Sequence, residues 1–149
     1  VHRFPVRVYF EDTDFSTNVY HAAYLKFFER ARTEFLRAHG IHHSELIAEG
    51  LAFAVREMTI SYDKPVHIDD LLEAETEMAE AGGARFVLKQ TLKRDGETLC
   101  RADVTAVLLN AQGRPVRLPP ALRGLLDVRR ALLNLFLTIN GASGTAASR

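Results

Sequence analysis

Phe4, Val6, Val8 and Phe10 alternate with Pro5, Arg7, Tyr9 and Glu11, the two-residue period of a strand with one buried face. The pattern changes after a run of acidic and small polar residues from Glu11 to Asn18. From Tyr20 to Arg37 there is neither glycine nor proline, and apolar residues recur at helical spacing. On a helical wheel Tyr24, Phe27, Phe28, Ala31 and Phe35 form one stripe, widened by Leu25 and Leu36, with Lys26, Arg30, Thr33 and Arg37 opposite. So wide a stripe predicts a deeply buried helix, ended by Gly40 at a C′ position and followed by a shorter helix from Ser44 to Glu49.

The second half predicts strands over Ala52 to Tyr62, Leu71 to Glu80, Ala84 to Lys93 and Thr98 to Leu109, with a further short piece at Arg114 to Leu118. Gly82-Gly83 and Asp95-Gly96 are hairpin signals, so the three middle strands are expected as antiparallel neighbours. Phe86, Leu88 and Leu92 share one face, as do Cys100, Ala102, Val104, Ala106 and Leu108. Those faces coincide only across an odd-numbered connection, which predicts a three-residue loop Asp95-Gly96-Glu97 with a G1 bulge. On the outer face the same register sets Lys89 between Asp103 and Glu75, a ladder of alternating charge. Pro119-Pro120 is expected to start a short helix. The apolar segment Asp127 to Ile139 reads as a helix docked on the sheet, followed by a disordered small-residue tail. The pattern is α+β, with one domain over residues 1–126 and a helix and tail over 127–149.

Composition narrows the function. The 149 residues suit a single domain, small enough for its site to be completed by another subunit. Nineteen basic residues balance nineteen acidic ones, which argues against nucleic acid or an anionic surface as the main partner. The single cysteine, Cys100, excludes a disulfide framework and favours a reducing, cytoplasmic setting. No stretch has the length and apolarity of a membrane span, so stable insertion is not expected.

Candidate chemistry gathers where the helix begins. Glu11, Asp12 and Asp14 precede it, and spacing alone does not choose among them. With a helix opening near Asn18 to Tyr20, Asp14 is too far upstream to cap it, and Asn18, Thr17 or Ser16 caps better. Free amides and the positive dipole end at the helix start suit it to polarising a carbonyl oxygen.

The run Val8-Tyr9-Phe10-Glu11-Asp12-Thr13-Asp14, followed by Val19-Tyr20-His21-Ala22-Ala23-Tyr24-Leu25-Lys26-Phe27-Phe28-Glu29-Arg30-Ala31-Arg32-Thr33-Glu34, closely resembles the YbgC and 4-hydroxybenzoyl-CoA thioesterase branch of hotdog proteins. The resemblance continues through Tyr62-Asp63-Lys64-Pro65, Asp69-Asp70-Leu71-Leu72 and Gly113-Arg114-Pro115-Val116-Arg117-Leu118-Pro119, covering roughly residues 3 to 126. It implies a hotdog fold, an antiparallel sheet wrapped around a long central helix, assembled as a homodimer or homotetramer with active sites between subunits. It also implies acyl-CoA thioester hydrolysis without a separate cofactor, CoA being part of the substrate, and with acyl carrier protein as a second candidate partner. The family's catalytic aspartate matches Asp14, as nucleophile or general base, and His21 matches the residue whose backbone amide meets the thioester carbonyl and whose side chain assists. Tyr20, Thr17 and Tyr24 are then candidate substrate-binding residues. Thr17 departs from the family, which usually has glycine there; glycine would allow a closer backbone approach.

Other residues invite alternatives. Arg32 falls at the helical angle of His21, half-buried, and Glu29, Arg32 and Glu34 read as a structural ion network. His21 with Glu29 could instead imitate the histidine and carboxylate of a hotdog 3-hydroxyacyl dehydratase. A non-enzymatic acyl-CoA or acyl-carrier-protein binding module is a third reading. Cys100 reads as an inert core thiol, and His39, His42 and His43 as solvated rather than metal-binding. Lys64, Arg85, Arg114 and Arg117 are candidate CoA contacts, while Phe15, Leu51, Phe53 and Val55 are candidates to close an acyl tunnel.

Overall fold

The computed structural model describes residues 1–147. Five strands, β1 (His2–Arg7), β2 (Ala52–Tyr62), β3 (Leu71–Gly82), β4 (Arg85–Arg94) and β5 (Glu97–Leu109), form one sheet in the order β1-β3-β4-β5-β2. Every pairing is antiparallel. Helix α1 (Ala23–Ala38) buries Tyr24, Phe27, Phe28, Ala31, Phe35 and Leu36 against this sheet. Burial of a side chain like Phe27 or Phe28 contributes roughly 2 kcal/mol or more. Leu25 lies outside the stripe expected for it and is 43% exposed.

Helix α1 stops where expected. Gly40 takes φ 77, Ile41 donates to the Leu36 carbonyl at 2.9 Å and Gly40 to that of Arg37 at 3.0 Å, a Schellman closure. Helix α2 (His43–Ala48) ends in the same way at Gly50, whose φ is 75.

The faces of β4 and β5 coincide as predicted, but the odd residue sits elsewhere. Arg94 pairs with Glu97, so the turn is the two-residue Asp95-Gly96, with φ of 51 and 81 as a type I′ turn requires. Parity is restored by a bulge at Leu99, which lets Leu99 and Cys100 both be buried. Lys89 does face Asp103, but its neighbour on β3 is Glu77 and not Glu75, because the preceding turn closes on Gly83-Ala84 and Ala79 is bulged. Glu75 instead pairs with Lys93 at 3.0 Å and Arg3 at 3.5 Å.

Three other expectations change. The first strand ends at Arg7, and Phe10 belongs to a short 3-10 turn (Phe10–Asp12) with its ring in solvent. The segment 114–118 forms only an isolated bridge, Leu109 to Pro115. Helix α3 (Pro120–Ala147) joins both predicted C-terminal helices and crosses position 126 without a break. It packs on β3 and is anchored by buried Leu122, but the second half of its apolar stretch is exposed. Leu132, Leu133, Leu135, Phe136, Leu137 and Ile139 are 54–63% exposed. The end of the tail, residues 148 and 149, lies outside the described residues. Among the described residues, no helix is long and apolar enough to cross a membrane.

Candidate active site

The loop between β1 and α1 is folded back on itself. Thr13 and Val19 form an antiparallel bridge, Asp14 N donates to Asn18 O at 3.1 Å, and Thr17 N donates to Asp14 O at 3.0 Å. Val19 N is held by Val66 O at 2.7 Å, and Asn18 bridges to His67. Asp14 is thereby tethered beside the chain that leads, two residues after Val19, into His21.

The three acids have different fates. Asp12 is buried, and its Oδ2 accepts the Tyr9 amide at 2.8 Å, closing the 3-10 turn. Glu11 is exposed. Asp14 is exposed too, and its Oδ1 accepts the Ser16 amide at 2.8 Å and the Ser16 hydroxyl. The Ser16 hydroxyl, then the Ser16 amide, hold the Asp14 carboxyl below its ordinary range. The carboxylate is therefore ionised at neutral pH, and its Oδ2 has no hydrogen-bond partner among the described residues.

Thr17 adopts φ 69. For a β-branched residue this left-handed conformation costs about 1–2 kcal/mol. The turn keeps the shape a glycine would favour, at the expense of strain.

Helix α1 starts at Ala23, later than its sequence suggested, with Ala22 at the N-cap and no side-chain cap. Asn18, Thr17 and Ser16 do not cap it. Tyr20 N goes back to Asp12 O at 2.9 Å, while the amides of His21 and Ala22 have no acceptor among the described residues. Two adjacent donors thus sit at the positive end of the helix. The His21 carbonyl accepts the Tyr62 hydroxyl at 2.9 Å, and the His21 ring lies 4.4 Å from that of Tyr20. Tyr24 packs edge-on against Tyr62 at 5.0 Å. Burial, the main cause, pushes the Tyr24 hydroxyl up to about 12, so it stays protonated.

Asn18, Val19, His21, Tyr24, Tyr62 and Lys64 help to line a cavity of about 300 Å³. Thr17, Tyr20 and Asp14 stand outside its lining. A second cavity, about 470 Å³, opens further along α1, with Glu29, Arg32, Phe53, Val55, Phe86 and Leu88 among its walls. His21 and Glu29 therefore face different cavities within one chain. The predicted Glu29, Arg32 and Glu34 network is not formed: Glu34 pairs with Arg37 at 3.5 Å, and Arg32 donates to Gln90 Oε1 at 3.1 Å. Gln90 sits on β4, far from the helix in sequence, so no helical spacing could reveal it.

Several of the other candidates have ordinary partners. Cys100 is fully buried, which pushes its thiol up to about 12 and makes it inert. His42 lies against Arg37, His39 against Phe35 and His43 against Phe53. Lys64 pairs with Glu97 at 2.5 Å and Arg85 with Glu80 at 3.5 Å. Phe15 is fully exposed, and Leu51 packs on the core. Sequence reasoning missed Ser16 and Tyr62 as site residues. An Asp followed two positions later by Ser is a turn signal that pointed to the first; the second depends on tertiary pairing.

The family model of the thioesterase-like superfamily matches residues 8–126. The chain belongs to this superfamily. The acyl-CoA thioester hydrolase YbgC of Escherichia coli O157:H7 is 44% identical over 119 residues, 79% of this chain and 86% of the relative. The acyl-CoA thioesterase YbgC of Haemophilus influenzae is 45% identical over 118 residues, 78% of this chain and 87% of the relative. Among solved structures, a probable thioesterase from Bartonella henselae superposes with a TM-score of 0.76 at 46% identity, over 79% of this chain and 98% of that one. The fold is the hotdog, and this member of the thioesterase-like superfamily is a thioester hydrolase. The match ends at residue 126, so most of α3 lies beyond it.

Proposed function

We propose that the protein hydrolyses acyl-CoA thioesters to a free acid and CoA, with Asp14 as nucleophile or general base and the helix start at His21 polarising the thioester carbonyl. The observations that carry this reading are an ionised Asp14 carboxylate in a loop whose backbone is bonded to Asn18, and, three residues after Asn18, the adjacent amides of His21 and Ala22, which have no acceptor among the described residues. Attack on a thioester converts its carbonyl oxygen into an oxyanion. Donors fixed in advance where that charge develops lower the barrier most, because they need no reorganisation during the reaction. The His21 amide supplies the donor, the His21 ring assists, and Tyr20, Thr17 and Tyr24 bound the approach of the acyl group. CoA enters as part of the substrate and no other cofactor takes part.

The working unit is a homodimer, or a homotetramer made of two such dimers. Strand β2 lies at the end of the sheet, so one side of its 11 residues has no backbone partner. Phe10, Phe15 and Tyr20 are exposed on the loop that carries Asp14, and Tyr62 is exposed beside His21, an apolar surface of the kind that marks an interaction site. Antiparallel pairing of two β2 edges covers both features and sets the Tyr62 end of one copy against the Ala52 end of the other. Lys64, on the rim of the His21 cavity, exchanges its ion pair with Glu97 for the CoA phosphates in this reading. An acyl carrier protein presents the same thioester arm and is a second carrier for the substrate. A reduced, buried Cys100 suits a cytoplasmic setting.

Release of free CoA thiol from acyl-CoA tests the proposal: turnover is expected. Intact acyl-CoA recovered from the protein after hours would instead identify a binding module. A 3-hydroxyacyl-CoA is expected to be hydrolysed without losing water; water loss that Glu29→Gln abolishes would instead identify a dehydratase.

A further inference from the structure

The 470 Å³ cavity has apolar walls, Phe53, Val55, Phe86 and Leu88, and one cation, Arg32. Arg32 is half-buried, and burial lowers its tendency to hold charge, with the Glu29 carboxylate acting against this. A guanidinium carries five N–H donors. Among the described residues Arg32 has one hydrogen bond, to Gln90 Oε1, and no carboxylate at ion-pair distance.

That one bond is rigid. Gln90 is buried, and its amide nitrogen donates to the Phe28 carbonyl at 3.0 Å and to Thr76 Oγ1 at 3.0 Å. Those two bonds fix which end of the Gln90 amide faces Arg32 and hold the guanidinium in place. A buried amide with both of its N–H donors bonded is rigid and orients the group that it accepts from. The result is an apolar chamber with a positioned donor, the arrangement by which binding pockets select one ligand end.

We infer that Arg32 reads the far end of the acyl group, and that the cavity takes an acyl chain ending in an acceptor oxygen, a carboxylate or a hydroxyl. This rests on the proposed thioesterase reading and on its paired subunits. Cavity and His21 stand apart within one copy: Arg32 follows His21 by eleven residues, roughly 17 Å along α1 at about 1.5 Å per residue. They cannot share a short acyl chain within one copy. Antiparallel pairing of two β2 edges brings the Tyr62 end, with Asp14 and His21, to the Ala52–Val55 end of the other copy, where the Arg32 cavity opens. The thioester is then held by one subunit and its acyl end by the other. Glu29, at the cavity wall, is exposed to water.

The test uses three CoA thioesters of equal length, hexanoyl-CoA, 6-hydroxyhexanoyl-CoA and adipoyl-CoA, with wild type, Arg32→Met and Arg32→Lys. A site that hydrogen-bonds an oxygen discriminates strongly against the analogue lacking it. Wild-type kcat/KM is expected to be about tenfold or more higher for at least one oxygenated substrate than for hexanoyl-CoA. Arg32→Met should bring that ratio close to one, and Arg32→Lys, which keeps charge but loses the fork, should fall between. Hexanoyl-CoA turned over by wild type as well as both oxygenated substrates overturns the inference and leaves the thioesterase reading standing. A ratio preserved in Arg32→Met also overturns it. Should Arg32→Met fail to fold, the wild-type ratio and Arg32→Lys decide. No turnover on any of the three overturns the thioesterase reading and this inference with it.

Discussion

The Tyr62 hydroxyl donates a 2.9 Å hydrogen bond to the His21 carbonyl, so the last residue of the edge strand β2 holds the start of α1. That bond orients the His21–Ala22 peptide, whose N–H is one of the two donors without an acceptor among the described residues. Edge-strand geometry and carbonyl polarisation are therefore coupled through one side chain.

Tyr62→Phe removes the hydroxyl and keeps the ring packed against Tyr24. A typical hydrogen bond contributes about 1 kcal/mol. The expected outcome is a fall in kcat of severalfold with KM for acyl-CoA little changed, read by steady-state kinetics, and a melting temperature within a few degrees of wild type.

Ser16 acts on Asp14 through both its hydroxyl and its amide. Because the folded-state pKa of Asp14 is depressed, the carboxylate stays ionised below the ordinary aspartate range, and activity is lost only as pH falls through that lowered value. Ser16→Ala removes the larger cause. The acidic limb of the kcat/KM profile should move to higher pH, while the neutral plateau keeps most of its height.

Thr17 at φ 69 stores strain that glycine does not. Thr17→Gly should raise unfolding stability by about 1 kcal/mol, since relief of the left-handed conformation exceeds glycine's extra chain entropy. Chemical denaturation measures this directly. An unchanged or lowered midpoint contradicts the strain assigned to Thr17.

Gln90 joins the Phe28 carbonyl, Thr76 and Arg32. Gln90→Leu keeps the volume but leaves a half-buried guanidinium and the Thr76 hydroxyl without this partner, and removes the second bond to the Phe28 carbonyl. A destabilisation of about 2–4 kcal/mol is expected in urea unfolding.

Much of the architecture was legible because it rests on period. The stripe of α1 from Tyr24 to Phe35 is buried as its spacing requires, and the apolar faces of β4 and β5 meet. Parity demanded one odd residue between Leu92 and Cys100, but alternation cannot say whether it sits in the turn or in the strand; it is Leu99. A second bulge, at Ala79, brings Glu77 to Lys89. Phe10 continued the alternation of the first strand, yet the amide of Tyr9 is taken by Asp12 and the backbone turns there. In the site, the choice of Asp14 over Glu11 and Asp12 came from the resemblance. The structure adds a local reason to set Asp12 aside, since its carboxylate already closes a turn. Arg32 was placed at the right angle and given the wrong partner, because Gln90 reaches the helix only through the sheet.

The central claim is that Asp14 carries the chemistry and that the loop around it would survive without its charge. Asp14→Asn keeps an acceptor for Ser16 while removing the carboxylate. Hydrolysis of an acyl-CoA substrate, followed by thiol release on protein whose melting curve and oligomeric state match wild type, should fall by a factor of about a hundred or more. Turnover within a few-fold of wild type in that folded variant would contradict the assignment of Asp14.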